Sequence, residues 1–231
     1  MIKNFGCQNM VDPISRVLIK HPRDAYRNQV NVDNQYQQLN YCEVPDFKKS
    51  LTDYETFTGL LESFGTEVHY LPEDKSTSLD SIYTHDPGVV TNGGLILCVM
   101  GKKDRLSESA AMENYFQSID VPILGRIEAP GTLEGGDVVW IDERTVAIGV
   151  SYRSNAEGIR QFGELLGNLV DKVISVPFPH WTGPSDCLHL MSNVSPIDHD
   201  LYLVYSRLLS VSFRQYLIEN EIGLVEVPDE E

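Results

Sequence analysis

One segment type recurs along this chain: an amphipathic helix, a turn, then a short β-branched strand that usually closes on proline. FTGLLESFG leads into TEVHYLP within residues 52–72, ESAAMENYFQS into IDVPILG within 107–125, AEGIRQFGELLGN into DKVISVP within 155–177, and VSFRQYLIEN into IGLVEVP within 210–228. Equivalent strand positions are Val68, Val121, Val173 and Leu224, which lie 53, 52 and 51 residues apart. Strand pairs fill the intervals: GVVTNGGLILCV with a Gly-Gly turn at 93–94, and DVVWIDERTVAIGV with a polar turn at 142–144. The unit is strand, strand, helix, strand, an α/β class. A plain α/β sheet with accidental spacing is the bland alternative. A period of this size points instead to units repeated around an axis, as in propellers. Such a ring aims the starts of equivalent strands at one central channel.

Charge narrows what the channel can hold. With 34 Asp+Glu against 18 Lys+Arg, the formal charge is -16. Such a surface repels phosphate backbones and anionic lipid, so neither nucleic acid nor a membrane is an expected partner, whereas a small cation is drawn in. The longest apolar run, LILCVM at 95–100, is too short to span a bilayer, and the first residues show no long apolar signal region. Cys7, Cys42, Cys98 and Cys187 are scattered without a CxxC pair, which fits a reducing cytoplasm. The Asn/Gln/Tyr-rich stretch 23–50 reads as a long loop or flap.

Three polar motifs fall at strand starts in successive units: TyrThrHisAsp at 83–86, LeuGluGlyGlyAsp at 133–137 and CysLeuHisLeu at 187–190. Asp86, Glu134 and His189 are 48 and 55 residues apart, close to the period, so the repeat places them around one pocket. Taken singly, Asp86 reads as a turn aspartate before Pro87-Gly88, Glu134 and Asp137 as solvated acids beside a Gly-Gly turn, and His189 as a half-buried histidine. The shared period favours the joint reading. Two carboxylates suit a planar guanidinium, each accepting paired N–H bonds. An imidazole beside them suits a general acid for a leaving amine. Arg105 and Arg153 stand at strand-to-helix junctions, where either can clamp a substrate carboxylate or simply pair with Glu108 or Glu157; Ser154 or Asn155 suffices as a helix cap. AspHisAsp at 198–200 reads as an exposed turn. The chain has no HExxH, no paired Cys/His spacing, no GxSxG, no GxGxxG and no P-loop. No metal, nucleotide or other cofactor is therefore expected.

Over essentially its whole length the sequence resembles the guanidine-modifying (pentein) superfamily of dimethylarginine dimethylaminohydrolases, arginine deiminases, arginine dihydrolases and amidinotransferases. The resemblance rests on MVDPISRVLIKHP at 10–22, TyrThrHisAsp, GKKDRLSE, LeuGluGlyGlyAspVal, GVSYRSN and LeuHisLeu. It implies a five-bladed α/β propeller forming one catalytic domain over 1–231, cytoplasmic, with homo-oligomerisation left open. It implies that Asp86 and Glu134 hold the guanidinium, that His189 is the acid/base, and that Arg105 and Arg153, with Asp137 beside them, belong to substrate binding. The implied activity is hydrolysis of the guanidino C–N bond of arginine or a methylated arginine, to citrulline plus an amine or ornithine plus ammonia, through a cysteine-linked amidino intermediate. Amidino transfer is the neighbouring alternative. Two departures stand out. Met191 occupies the place where the deiminase branch has an acid two residues after the histidine. Only about four of the five repeats are recognisable, so the expectation is that the unit bearing the nucleophilic cysteine is missing, which raises a third reading, an inactive guanidine-binding fragment. Cys187, two residues before His189, would line the wall rather than oppose the histidine.

Overall fold

A computed structural model describes residues 5–184 and 188–228. Its strands form four small sheets. Three repeat one plan: β3 (Gly88–Thr91), β4 (Gly94–Leu97), α4 (Glu108–Ser118) and β5 (Ile123–Arg126); then β6 (Val138–Asp142), β7 (Thr145–Val150), α5 (Ala156–Leu166) and β8 (Lys172–Pro177); then β9 (Val194–Asp198), β10 (Leu201–Val204), α6 (Val211–Glu219) and β11 (Gly223–Glu226). In each, the first two strands pair antiparallel and the second pairs parallel with the third, as the helix crossover requires. Before them come β1 (Arg16–Ile19), α1 (Pro22–Ala25), α2 (Gln29–Gln35), α3 (Phe47–Ser63) and β2 (Glu67–Tyr70), in which β1 and β2 pair parallel. The strand–strand–helix–strand unit read from the sequence is therefore present three times, preceded by a two-stranded relative.

The inner strands β4, β6 and β7 bury both faces, which explains why they are largely apolar rather than alternating. Along β6, Val138 and Trp140 enter one core with Val89 and Ile96 of the preceding sheet, while Val139 enters another with Val194 and Tyr202 of the following one. On β7, Val146 and Ile148 take the first side and Ala147 the second. On β4, Ile96 faces that same first core, whereas Leu95 and Leu97 face a third core shared with Leu18 of β1. Helices follow the same rule. Met112 and Phe116 of α4, Ile159, Phe162 and Leu166 of α5, and Phe213 and Leu217 of α6 each fill the core between their own sheet and the one before it. Successive sheets thus stack around the site they share.

Details depart from expectation in three places. Residues 23–50 are not one long loop: α1, α2 and the start of α3 lie there, capped by His21, Asn28 and Asp46. Ala25, Tyr26, Val32 and Leu39 bury against Leu79, a core too sparse to give the sequence a visible period. The first hairpin turns at Asn92-Gly93, and Gly94 already pairs with Thr91 as the first residue of β4. Val121 precedes β5 and packs into the core beside α4. As expected, Glu143-Arg144 forms the second hairpin's turn, Asn155 caps α5, and His199-Asp200 turns at the surface. Among the described residues no helix is long and apolar enough to cross a membrane.

The N-terminal segment runs across the hairpin-turn end of the stack. Gln8, buried at 4% exposure, accepts from the Asn92 N–H (2.9 Å) and donates to the carbonyls of Glu143 (2.6 Å) and Leu169 (3.2 Å), so one side chain ties two neighbouring units. Removing it leaves these backbone groups short of partners. Gln8→Ala should lower the unfolding free energy by about 1–3 kcal/mol, read from urea denaturation; an unchanged midpoint would show that the strap does not hold the units together.

Candidate functional site

At the opposite end of these sheets, three unit starts converge. Asp86 lies just before β3, Glu134 and Asp137 just before β6, and His189 just before β9. One ligand atom from each of Asp86, Glu134 and His189 falls within a set whose members are all within 4.8 Å of one another, and all three residues are buried. The repeat therefore brings together the residues its period singled out.

Glu134 is the centre. It has no exposed surface. Its Oε2 accepts from His189 Nε2 at 2.9 Å, and its two oxygens accept from Arg153 Nη1 at 3.3 and 3.2 Å. Its Oε1 also accepts from the Gly101 N–H at 2.9 Å. Burial on its own would raise the carboxyl pKa, but the His189 hydrogen bond and the Arg153 charge outweigh it and hold the group at about 2. Because an ionised carboxylate can only accept, His189 Nε2 carries a proton toward it.

Asp86 is tied into the same frame. Its Oδ1 accepts from the Gly136 N–H (3.1 Å), its carbonyl from the Gly135 N–H (3.0 Å), and its Oδ2 from Arg105 Nη1 (2.7 Å). The Gly135-Gly136 pair is required by crowding. A Cβ at 135 would collide with the His85 carbonyl, and one at 136 with the His189 ring. The double glycine lets an imidazole from the next unit lie against the backbone beside Glu134.

Arg105 differs from a free clamp. It is 4% exposed, and Glu108 grips it through Nε (3.0 Å) and Nη2 (2.8 Å) while Tyr83 O accepts from Nη2 (3.0 Å). Burial lowers its pKa, but Glu108 and Asp86 more than offset this and keep it charged. The pairing with Glu108 weighed from the sequence is present, inside the protein rather than on its surface. Arg153 is more open. Nη1 points to Glu134, while Nε and Nη2 make no hydrogen bond among the described residues. It borders a cleft of about 270 Å³ lined by Ser151, Tyr152, Phe178, His180, Trp181 and Leu188. This cleft adjoins the acid–imidazole cluster through Arg153 and Leu188 rather than containing it.

Asp137 sits behind the cluster. With no exposed surface, it accepts from Ser154 Oγ (2.6 Å), Ser151 Oγ (3.1 Å) and the Leu190 N–H (3.0 Å). Its environment fits a brace between units better than a group that touches a ligand. Burial pushes its carboxyl up to about 6, against the pull of His189 and these donors. Ser154 also accepts from the Glu134 N–H (3.1 Å).

Sequence reasoning missed Gly101 and Ser151 and read Ser154 only as a helix cap, whereas their work is done by a backbone N–H or a small hydroxyl. It also missed Asp80, buried and paired with Lys102 (2.7 Å). For Gly101, Ser151 and Ser154 the signal available was adjacency to Arg105 and Arg153 in GKKDR and SYRSN; Asp80 lies outside both motifs. Cys98, at the end of β4, is sealed in the core, and burial, with Asp86 and Glu134, pushes its thiol well above the usual range. Cys187 lies outside the described residues.

Comparison with known proteins agrees with this frame. A family model described as arginine deiminase matches residues 78–224. A dimethylarginine dimethylaminohydrolase of Pseudomonas aeruginosa is 28% identical over 189 residues, covering 81% of this chain and 68% of that one. An arginine deiminase of Listeria innocua is 33% identical over 152 residues, covering 56% of this chain and 37% of that one. The chain spans about a third to a half of the length of the arginine deiminases it matches. A solved structure of the Pseudomonas aeruginosa dimethylarginine hydrolase, complexed with citrulline, superposes with a TM-score of 0.73 at 24% identity over 94% of this chain and 77% of that one, which shows a shared propeller fold. The repeating units, the buried acid–imidazole cluster and the family match over most of the chain lead to one conclusion: this protein belongs to the arginine deiminase family, within the guanidine-modifying (pentein) superfamily.

Proposed function

We propose that this chain grips a guanidinium between Asp86 and Glu134 and serves cleavage of the guanidino C–N bond of arginine or a methylated arginine. The observation that carries this reading is the buried meeting of two carboxylates and an imidazole from three separate units, within 4.8 Å. The chain's own guanidinium groups support it, since Arg105 rests on Asp86 and Arg153 on Glu134. Each carboxylate is thus already shaped for a planar cation. The relatives named as dimethylarginine hydrolase and arginine deiminase act on this chemical class.

The chemistry follows from the placement. Paired carboxylates fix the guanidinium plane and balance its charge in a site removed from water. His189, protonated on the nitrogen facing Glu134, is placed to pass a proton to the departing amine. In the family resemblance the attacking group is a cysteine thiolate, which forms an amidino-thioether that water, or a second amine in the transfer variant, resolves. Cys98 does not fill that role, because its sealed position and raised pKa disfavour the thiolate. Cys7 and Cys42 are exposed. Among the described residues no cysteine joins the Asp86–Glu134–His189 cluster, and a second reading is therefore a protein that binds guanidines without turning them over. Citrulline release from arginine or N,N-dimethylarginine separates the two, and any turnover by this chain removes the binder reading.

Two outcomes test the site itself. Glu134→Gln should weaken arginine binding by about 10- to 100-fold in calorimetry, as expected for one charge-assisted interaction of about 1.5–3 kcal/mol; unchanged affinity would contradict the carboxylate grip. The second concerns pH. Asp137 titrates at about 6 in the folded chain against 3.8 as a free side chain, so it contributes stability that is complete below 3.8 and lost as pH rises through 6. Glu134 has the opposite sign, contributing above 4.5 and losing it as pH falls toward 2. Asp137→Asn should therefore abolish the component between 3.8 and about 6 while leaving the low-pH one. A wild-type minus mutant difference that is flat across that window would show that Asp137 is not buried as described.

A further inference from the structure

The cleft beside Arg153 is built from two walls. One is the turn from β7 into α5, with Ser151, Tyr152 and Arg153. The other is the segment after β8, with Phe178, Pro179, His180, Trp181 and Gly183. The walls are joined at their base by the Phe178 N–H to the Val150 carbonyl (3.1 Å), which extends the β7–β8 pairing. They are joined again at the rim, where the Tyr152 hydroxyl and His180 Nδ1 lie 2.6 Å apart and their rings meet edge to face at 5.9 Å. Leu188, next to His189, belongs to the same lining.

Three features say what this cleft takes. Among the described lining residues its one Lys or Arg is Arg153, whose Nη1 reaches the Glu134 carboxylate while Nε and Nη2 make no hydrogen bond among the described residues. An anionic group bound there is therefore one side chain away from the acid pair. Beyond Arg153 the lining carries four aromatic rings, Phe178, Tyr152, His180 and Trp181, among small and aliphatic residues. Trp181 holds its indole at 52% exposure on a backbone with φ of 49°, a left-handed conformation that bulky residues rarely adopt. Finally, the cleft offers about 270 Å³, many times the ~10–15 Å³ that one water needs. The amino and carboxylate end of arginine, five heavy atoms, fills only part of it.

We propose that this cleft is a specificity subsite for the far end of the ligand, and that it selects a guanidino carboxylate extended by an apolar or aromatic group, such as an arginine acylated on its α-nitrogen. Arg153 takes the carboxylate. The Tyr152–His180 pair and Trp181 take the added group by ring contact, a geometry in which aromatic side chains give affinity at low entropic cost. This assignment rests on the guanidine reading above and deepens it by naming the substrate class.

Calorimetry of the full chain with arginine, Nα-acetylarginine and Nα-benzoylarginine tests it. Benzoylarginine should bind about 5- to 10-fold more tightly than arginine, the gain of one good aromatic contact, with acetylarginine between them. Trp181→Ala, a change at an exposed side chain, should collapse the benzoyl-to-arginine ratio to within about twofold. Arginine binding as tightly as benzoylarginine, or a ratio that survives Trp181→Ala, would overturn the proposal. The two levels separate cleanly. Arginine binding that depends on Glu134 without any benzoyl preference sinks the cleft and spares the guanidine grip. A Trp181-dependent preference, with absolute affinities for arginine and benzoylarginine that Glu134→Gln leaves unchanged, supports the cleft and sinks the grip. Failure of all three compounds to bind overturns both.

Discussion

A carboxylate taken wholly out of water costs several kcal/mol unless charge and hydrogen bonds replace its hydration. Glu134 is such a group, and its replacements come from different parts of the chain. Gly101 follows β4, Arg153 follows β7, and His189 precedes β9. The ion is stable only if those three units are held in register around it. Reciprocally, withdrawing any one donor leaves a buried charge undercompensated. Asp137 repeats the device one layer back, joining the start of β6 to Ser151, Ser154 and Leu190. The apolar cores between sheets supply the driving force for stacking; the buried acids fix how the stack is aligned.

Much of this was legible in the sequence because repetition is a long-range signal that survives local noise. The spacing of Val68, Val121, Val173 and Leu224 identifies the unit, and the motif offsets pair Asp86, Glu134 and His189. Continuous apolar runs such as LILCVM hid which face of each strand went where, since both are buried and no alternation is written into them. Residues 23–50 misled for a related reason. Their helices are short, are capped by side chains, and bury only a few scattered apolar residues among Asn and Gln. Functional backbone groups are invisible to pattern reading. The Gly101 N–H, and the glycine at 136 that makes room for an imidazole, declare themselves only when the neighbouring unit is in place.

The two arginines show how one residue type takes different roles in one site. Arg105 is enclosed, with Glu108, Asp86 and the Tyr83 carbonyl using most of its donors, and it acts chiefly as a fixed counter-ion that orients Asp86. Arg153 faces both Glu134 and the aromatic cleft, so it can exchange an internal partner for an external one. In the proposed binding mode a guanidinium arriving from solvent would compete with Arg153 for Glu134, and a carboxylate on the same ligand would offer Arg153 a new partner, coupling recognition of the two ends of a guanidino acid through a single side chain.

If Asp86 and Glu134 together hold a guanidinium that is not the protein's own, a crystal structure of the chain with bound arginine will show guanidino nitrogens at about 3 Å from both carboxylates, with Arg153 turned from Glu134 toward the ligand carboxylate. Arginine bound elsewhere, with Arg105 and Arg153 still seated on Asp86 and Glu134, would contradict it.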